Sequence, residues 1–283
     1  MGRCCGAVLL FLLTTPAGVR TYHYSWWSDN PQPYLEAIAK ASAVTPPPLA
    51  PGERIRAGIV THHFLAKSLM IRFFNTLRAE SSPETIILIG PNHFHHGSAN
   101  ISISSLPWKT PFGVLEADEP IVQQVKAATG LPEDTEAFTG EHSVGVLIPF
   151  VKYYFPHSRV VPILVDVNAH EDRLRELRGV LCVLLRDPQV LVVLSMDFSH
   201  NSTADIADSH DAQAQQAIAD LDLSKVEGLN VDCRKGLWLL LAALRDLGQV
   251  NVQVSEHTNS VRLSQNPNQK DVTSYFSVYF VTR

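Results

Sequence analysis

Three apolar runs in this chain end the same way. "IRAGIV" (55–60) leads into Thr-His-His, "TIILIG" (85–90) into Pro-Asn-His, and "QVLVVLSMD" (189–197) into Phe-Ser-His. The runs are continuous rather than alternating, so a strand made from any of them needs cover on both faces. Helix-period segments supply that cover. "LAKSLMIRFFNTLRAE" sets Leu65, Leu69, Phe73 and Leu77 on one stripe, and "EPIVQQVKAATG" reads as a helix closed by Gly130. "SVGVLIPFVKYYFP" reads as a further helix weakened by Pro149, "RVVPILV" as a strand and "EDRLRELRGVLCVLLRD" as a helix. Two more helices are expected near 204–220 and 235–247. "VNVQVSEHT" and "SYFSVYFVT" close the chain as alternating strands, and "NISISS" with "GVLEAD" reads as a small antiparallel insert. The pattern predicts an α/β fold: a mainly parallel central sheet with helices on both faces.

In such sheets ligands bind beyond the C-terminal strand ends. Three separate strands therefore deliver His62, His93 and His200 to one edge, which is how an open metal site is built. His63 competes with His62 for the ligand role. Asp197 can ligate the metal, orient a ligand or act as a base. His142, after Glu141 in a loop, is a candidate acid–base or substrate-orienting group. Imidazoles suit iron, copper or zinc. His95 and His96 read as solvent-facing neighbours, and His23, His157, His170, His210 and His257 as surface or structural. Cys182, inside "VLCVLL", reads as an inert buried residue, whereas Cys233 stands before a helical pattern, a better place for a thiolate. No G-x-S-x-G and no Gly-rich phosphate loop after a strand occurs.

The chain has 283 residues, 45% of them hydrophobic, which suffices for one large α/β domain. A net charge of −5 without a dense Lys/Arg run argues against a nucleic-acid groove. Residues 1–20 carry one early Arg and an apolar stretch from Cys4 to Leu13, too short to span a bilayer but fitting a secretory signal or membrane tether. Export or tethering is the expectation, a cytoplasmic location the alternative. Residues 21–53 form an aromatic and helical extension with a Pro-rich linker at "VTPPPLAPGE" (44–53), and 54–283 form the main domain. A monomer or homodimer is expected.

Taken in order, "GIVTHHFLA", "ILIGPNHFHHG", "TPFGVLEAD", "EHSVGVLIPFVKYYFP", "VVPILV", "VLSMDFSH", "DCRKGLWLLLAAL" and "DVTSYFSVYF" resemble blocks of the Memo family, whose bacterial members are called AmmeMemoRadiSam system protein B. The resemblance implies a fold related to the class III extradiol dioxygenases. It also implies a cleft of three His and one Cys that holds Fe(II) or copper. Carried over block by block, these are His62, His93, His200 and Cys233. The sequence departs from the family at Thr61, where Pro is usual, at Gly145 and Leu147, where Glu and His are common, and at Asn201, where Trp is common. The expected function is a non-haem iron- or copper-dependent redox enzyme acting on a small molecule or peptide. The alternatives are a non-catalytic metal- or peptide-binding protein and a zinc hydrolase.

Overall fold

Along the central strands, successive side chains feed two different cores. Ala57, Ile59, Ile87, Ile89, Ile163 and Leu194 enter one, and Val60, Ile86, Leu88, Leu164 and Val193 enter the other. That period of two makes the sheet the middle layer of three. A computed structural model describes residues 13–14, 20–23, 28–41, 49–266 and 268–283. The apolar segment expected at 1–20 lies outside the described residues except for Leu13, Thr14 and Arg20. Residues 44–48 of the linker lie outside them as well.

The main sheet contains β3 (Arg54–Val60), β4 (Thr85–Pro91), β5 (Ile101–Ile103), β8 (Arg159–Val165), β9 (Val190–Ser195), β10 (Asn251–Asn259) and β11 (Ser274–Thr282). Their order is β10-β11-β3-β9-β4-β8-β5. A small second sheet joins β1 (Leu13–Thr14), β2 (Arg20–His23), β6 (Trp108–Thr110) and β7 (Gly113–Leu115). Helices α3 (Glu119–Thr129), α6 (Glu171–Leu184), α7 (Ala204–Ala219) and α8 (Arg234–Leu247) feed the first core. Helices α1 (Gln32–Lys40), α2 (Lys67–Glu80), α4 (His142–Gly145) and α5 (Ile148–Tyr154) feed the second, and the short α9 (Ser260–Ser264) joins β10 to β11. No helix among the described residues is long and apolar enough to cross a membrane.

The sheet is mixed, which corrects the expectation of a mainly parallel one. β3, β9, β4 and β8 are parallel, whereas β10, β11 and β5 join antiparallel. The reason is visible in β10, whose side chains are mostly half-exposed: an antiparallel edge tolerates water on one face, and a parallel strand rarely does. β5 adds to the main sheet against β8 instead of pairing with "GVLEAD"; that segment's β7 pairs with β6. The "SVGVLIPFVKYYFP" helix divides into α4 and α5, with Pro149 in the first turn of α5, where its missing N–H costs nothing.

The strand order positions the site. β3, β9 and β4 are neighbours and end in register, with Val60 opposite Ser195 and Ile89 opposite Leu194. α4 then lies against the end of β4, because Gly90 has no side chain there. A Cβ at Gly90 would sit 2.6 Å from Ser143 Oγ and 3.1 Å from Val144 Cγ2. Ser143 Oγ donates to Pro91 O at 2.7 Å, pinning α4 to the strand. Gly90→Ala is therefore expected to destabilise by roughly 1–3 kcal/mol through overpacking. Gly179→Ala, within α6 and with no atom near the new Cβ, is expected to stabilise by about 0.5–1 kcal/mol. Urea unfolding of both variants checks the pair; equal and small effects would contradict this packing.

Candidate metal centre

His62 is 3% exposed, and its ring has two different sides. Nδ1 lies 3.0 Å from Ser195 Oγ. Ser195 donates its own proton to Ser143 O, so toward His62 it accepts. Nδ1 therefore carries the ring proton, and in the neutral imidazole Nε2 keeps a lone pair. The turn is clamped from beneath: Asp197 Oδ1 accepts from Thr61 Oγ1 and, at 3.3 Å, from His62 N. Thr61 supplies a hydroxyl that a Pro could not.

His93 repeats the device with a stronger partner. Its Nδ1 lies 2.9 Å from Glu141 Oε1, and its backbone N–H donates to Glu141 Oε2 at 2.6 Å. Glu141 is 1% exposed and also caps α4 through Ser143 N at 2.8 Å. A carboxylate behind an imidazole fixes the tautomer, orients the ring and raises the basicity of the far nitrogen.

Both Nε2 atoms approach one carboxylate oxygen. Asp232 Oδ2 lies 3.2 Å from His62 Nε2 and 3.5 Å from His93 Nε2. Asp232 Oδ1 accepts from Asp197 N at 3.0 Å, which fixes the carboxylate's orientation. Oδ2 is buried and has no hydrogen-bond partner among the described residues. Two nitrogen lone pairs and an unpaired carboxylate oxygen thus meet, and a buried anionic oxygen left this way is costly. A cation resolves it: either protons on the rings or a metal ion. The donor set, two imidazoles and one carboxylate, is one that transition metals bind.

His142 completes the cluster. His62, His93 and His142 offer ligand nitrogens within 4.8 Å of one another, as do His62, Asp197 and Asp232 with their nitrogen and oxygens. The His142 ring stacks on His93 at 4.3 Å and 18°, and meets His62 edge-on at 5.3 Å. Burial and the neighbouring His62 and His93 push its pKa down to about 4. Burial pulls His93 down, but Asp232 and Glu141 outweigh it and raise the pKa to about 10. Burial likewise opposes His62, whose pKa the charges of Asp197 and Asp232 raise. Burial pushes Asp232 up, but His62 and His93 hold it well below the usual carboxylate range.

The expected site residues therefore separate. His62 and His93 come together, His142 and Asp197 stand beside them, and neither grouping contains His200 or Cys233. Of His62 and His63, only His62 belongs to these groupings, whereas His63 is exposed and stacks on Tyr275 at 5.5 Å. His200 follows Ser195 by five residues, whereas His62 follows Val60 by two and His93 follows Pro91 by two. That longer loop is held by Asn230, which accepts from His200 N at 3.3 Å. Cys233 packs in the apolar core, where a Cβ on Gly236 would lie 2.5 Å from its Sγ and 3.0 Å from Leu194 Cδ1. Burial, with the nearby charge of Asp232, pushes its thiol pKa well up, away from a thiolate. The residue before it, Asp232, presents the anionic atom instead. Glu141 and Ser195 were not foreseen. The only sequence signals were Glu141 beside His142 and a polar residue ending an apolar strand.

A profile of the Memo-like protein family matches residues 22–279. The chain belongs to this family. Among its Memo relatives, a MEMO1 family protein of Caldivirga maquilingensis is 36% identical over 143 residues, half of either chain. One of Pyrobaculum arsenaticum is 29% identical over 221 residues, 74% of this chain and 78% of its own. The crystal structure of an uncharacterized Escherichia coli K12 protein superposes with a TM-score of 0.56 at 14% identity, covering 80% of this chain and 99% of that one. That likeness concerns the fold alone.

Two outcomes follow for this Memo-family chain. Asp232→Ala is expected to lose bound metal while Cys233→Ala keeps it, measured by elemental analysis of the purified proteins; the reverse pattern would contradict the geometry. The second concerns pH. His93 is raised from 6.5 to about 10, so its protonated form stabilises metal-free protein fully below pH 6.5, and that contribution is lost as pH rises through about 10. Thermal melts should therefore show metal-free protein weakening across this window relative to metal-loaded protein, in which the metal takes the proton's place. Parallel curves would count against the site.

Proposed function

We propose that this chain is a metal-dependent redox enzyme in which His62, His93 and Asp232 hold a ferrous ion and His142 carries a proton beside it. The observation that carries the reading is Asp232 Oδ2, buried without a hydrogen-bond partner between two imidazole nitrogens. Two imidazoles and one carboxylate with open positions are the donor set of non-haem iron oxygenases, and the harder oxygen donor favours iron over copper. When bound, such an ion supplies the binding and activation of dioxygen.

The chain's own residues supply the rest. Ser195 and Glu141 hold the Nδ1 protons of His62 and His93, leaving Nε2 as the ligand atom of each. His142 stays neutral at pH 7 because burial, and after it the positive charge of His62 and His93, push its pKa down to about 4. A neutral imidazole against the centre can take a proton from a bound substrate and return it to a product. The open side is the His93–His142 edge, where each side chain is 25% exposed and Phe94, 5.9 Å from the His142 ring, is 50% exposed. Substrate approaches there and meets His142 first.

Oxygen uptake by the iron-reconstituted protein over a catechol panel, with metal-free protein and Asp232→Ala as controls, tests the reading. Uptake dependent on iron and on Asp232 is expected, and His142→Ala should lower its rate by roughly 10²–10⁴-fold while iron content is kept. Iron bound without any oxygen consumption would leave a metal-holding protein. Turnover of esters or amides with zinc alone would make it a hydrolase.

A further inference from the structure

A second site lies at the opposite end of the sheet. The imidazole cluster stands beyond the ends of β3 and β9, whereas a cavity of about 620 Å³ opens at their beginnings, beside the C-terminus of α2. Arg56 and His62 are separated by roughly 20 Å at the rise of an extended strand. Three arginines line the cavity: Arg54 and Arg56 from β3, and Arg78 from the last turn of α2.

Arg56 is the unusual member. It is 8% exposed yet forms no hydrogen bond or ion pair with a described residue. It also occupies a β-bulge: Phe280 of β11 pairs with Ala57 and the next residue, Val281, with Ile55, so Arg56 has no partner in the register. Bulges re-aim a side chain, and this one turns a guanidinium into the cavity wall. Burial and the neighbouring Arg54 depress its pKa, and Asp187 only partly offsets them. An arginine does not escape by losing its proton, so the charge stays, met only in part by Asp187. Arg54 forms no ion pair among the described residues, and Arg78 only donates to Ser82 Oγ at 3.3 Å.

Two carboxylates, Glu53 and Glu80, also line the wall. Glu53 turns one oxygen to Ala50 N at 2.8 Å. The wall is therefore close to balanced overall, and attraction for an anion is local to the guanidiniums. We propose that this cavity binds a phosphoryl anion held by Arg54, Arg56 and Arg78. Guanidinium forks match phosphate oxygens two at a time, and three of them suit a multiply charged anion better than a single carboxylate. The volume admits more than orthophosphate and lies in the range of small-ligand sites. The proposal does not depend on the metal centre.

Calorimetric titration with pyrophosphate tests it. The proteins are the wild type, Arg54→Ala, Arg78→Ala, Arg56→Gln, and a His62→Ala, His93→Ala double variant that removes anion uptake through a metal. Arg54 and Arg78 are exposed, so their variants keep the test open if Arg56→Gln fails to fold. Expected are saturable one-to-one binding, about ten-fold weaker for each arginine variant, unchanged affinity in the double histidine variant, and competition by orthophosphate. Absence of saturable binding at millimolar pyrophosphate would overturn the proposal. So would equal affinity in the arginine variants, or tighter binding of citrate than of pyrophosphate.

Discussion

Lone pairs repel one another, and three of them face the same small space at the end of this sheet. The His62 and His93 protons are engaged on the far sides of the rings, by Ser195 and Glu141, and Asp232 Oδ1 is engaged by the amide of Asp197. What remains turned inward is two ring nitrogens and one carboxylate oxygen. No rearrangement of the neutral groups removes that conflict, because each far-side partner is itself buried and fixed. A positive charge must stand among them. Burial makes the requirement strict, since Asp232 Oδ2 is shut away from the solvent that would screen it.

Much of the surrounding structure serves the far sides rather than the centre. Gly90 lets α4 approach β4, and α4 brings both Ser143 O, which fixes the direction of the Ser195 hydroxyl, and Glu141, which holds His93. Asp232 stands just before α8, where the first-turn amides favour a negative group. The parallel part of the sheet makes this convergence feasible: β3, β9 and β4 are adjacent and end together, so short turns suffice to bring in His62, Asp197 and His93. β3 runs from an arginine-lined cavity at one end to an imidazole cluster at the other.

The sequence disclosed the strands through their continuous apolar runs, and it disclosed His62 and His93 because each stands two residues past a strand end. The same rule was too coarse for His200. His200 stands five residues past Ser195, its amide donating to Asn230 Oδ1 and Asn201 after it in the left-handed region (φ 54°), and it belongs to neither grouping of ligand atoms. Asp232 and Cys233 are adjacent and both are ligand types, so pattern could not choose between them. The backbone entering α8 decides which side chain faces the imidazoles and which the core. Glu141 and Ser195 act on histidines 48 and 133 residues away in sequence, a relation that no local period encodes. The antiparallel edges were misjudged for a related reason: half-exposed β10 and buried β11 both read as alternating strands, and neither pattern specifies direction.

X-ray absorption at the iron edge of the reconstituted protein tests most directly whether carboxylate and imidazole, rather than thiolate, hold the ion. The account predicts a first shell of nitrogen and oxygen only, with the multiple-scattering pattern of two imidazoles. A sulfur scatterer at about 2.3 Å, the distance typical of a metal–thiolate bond, would contradict it and return Cys233 to the metal.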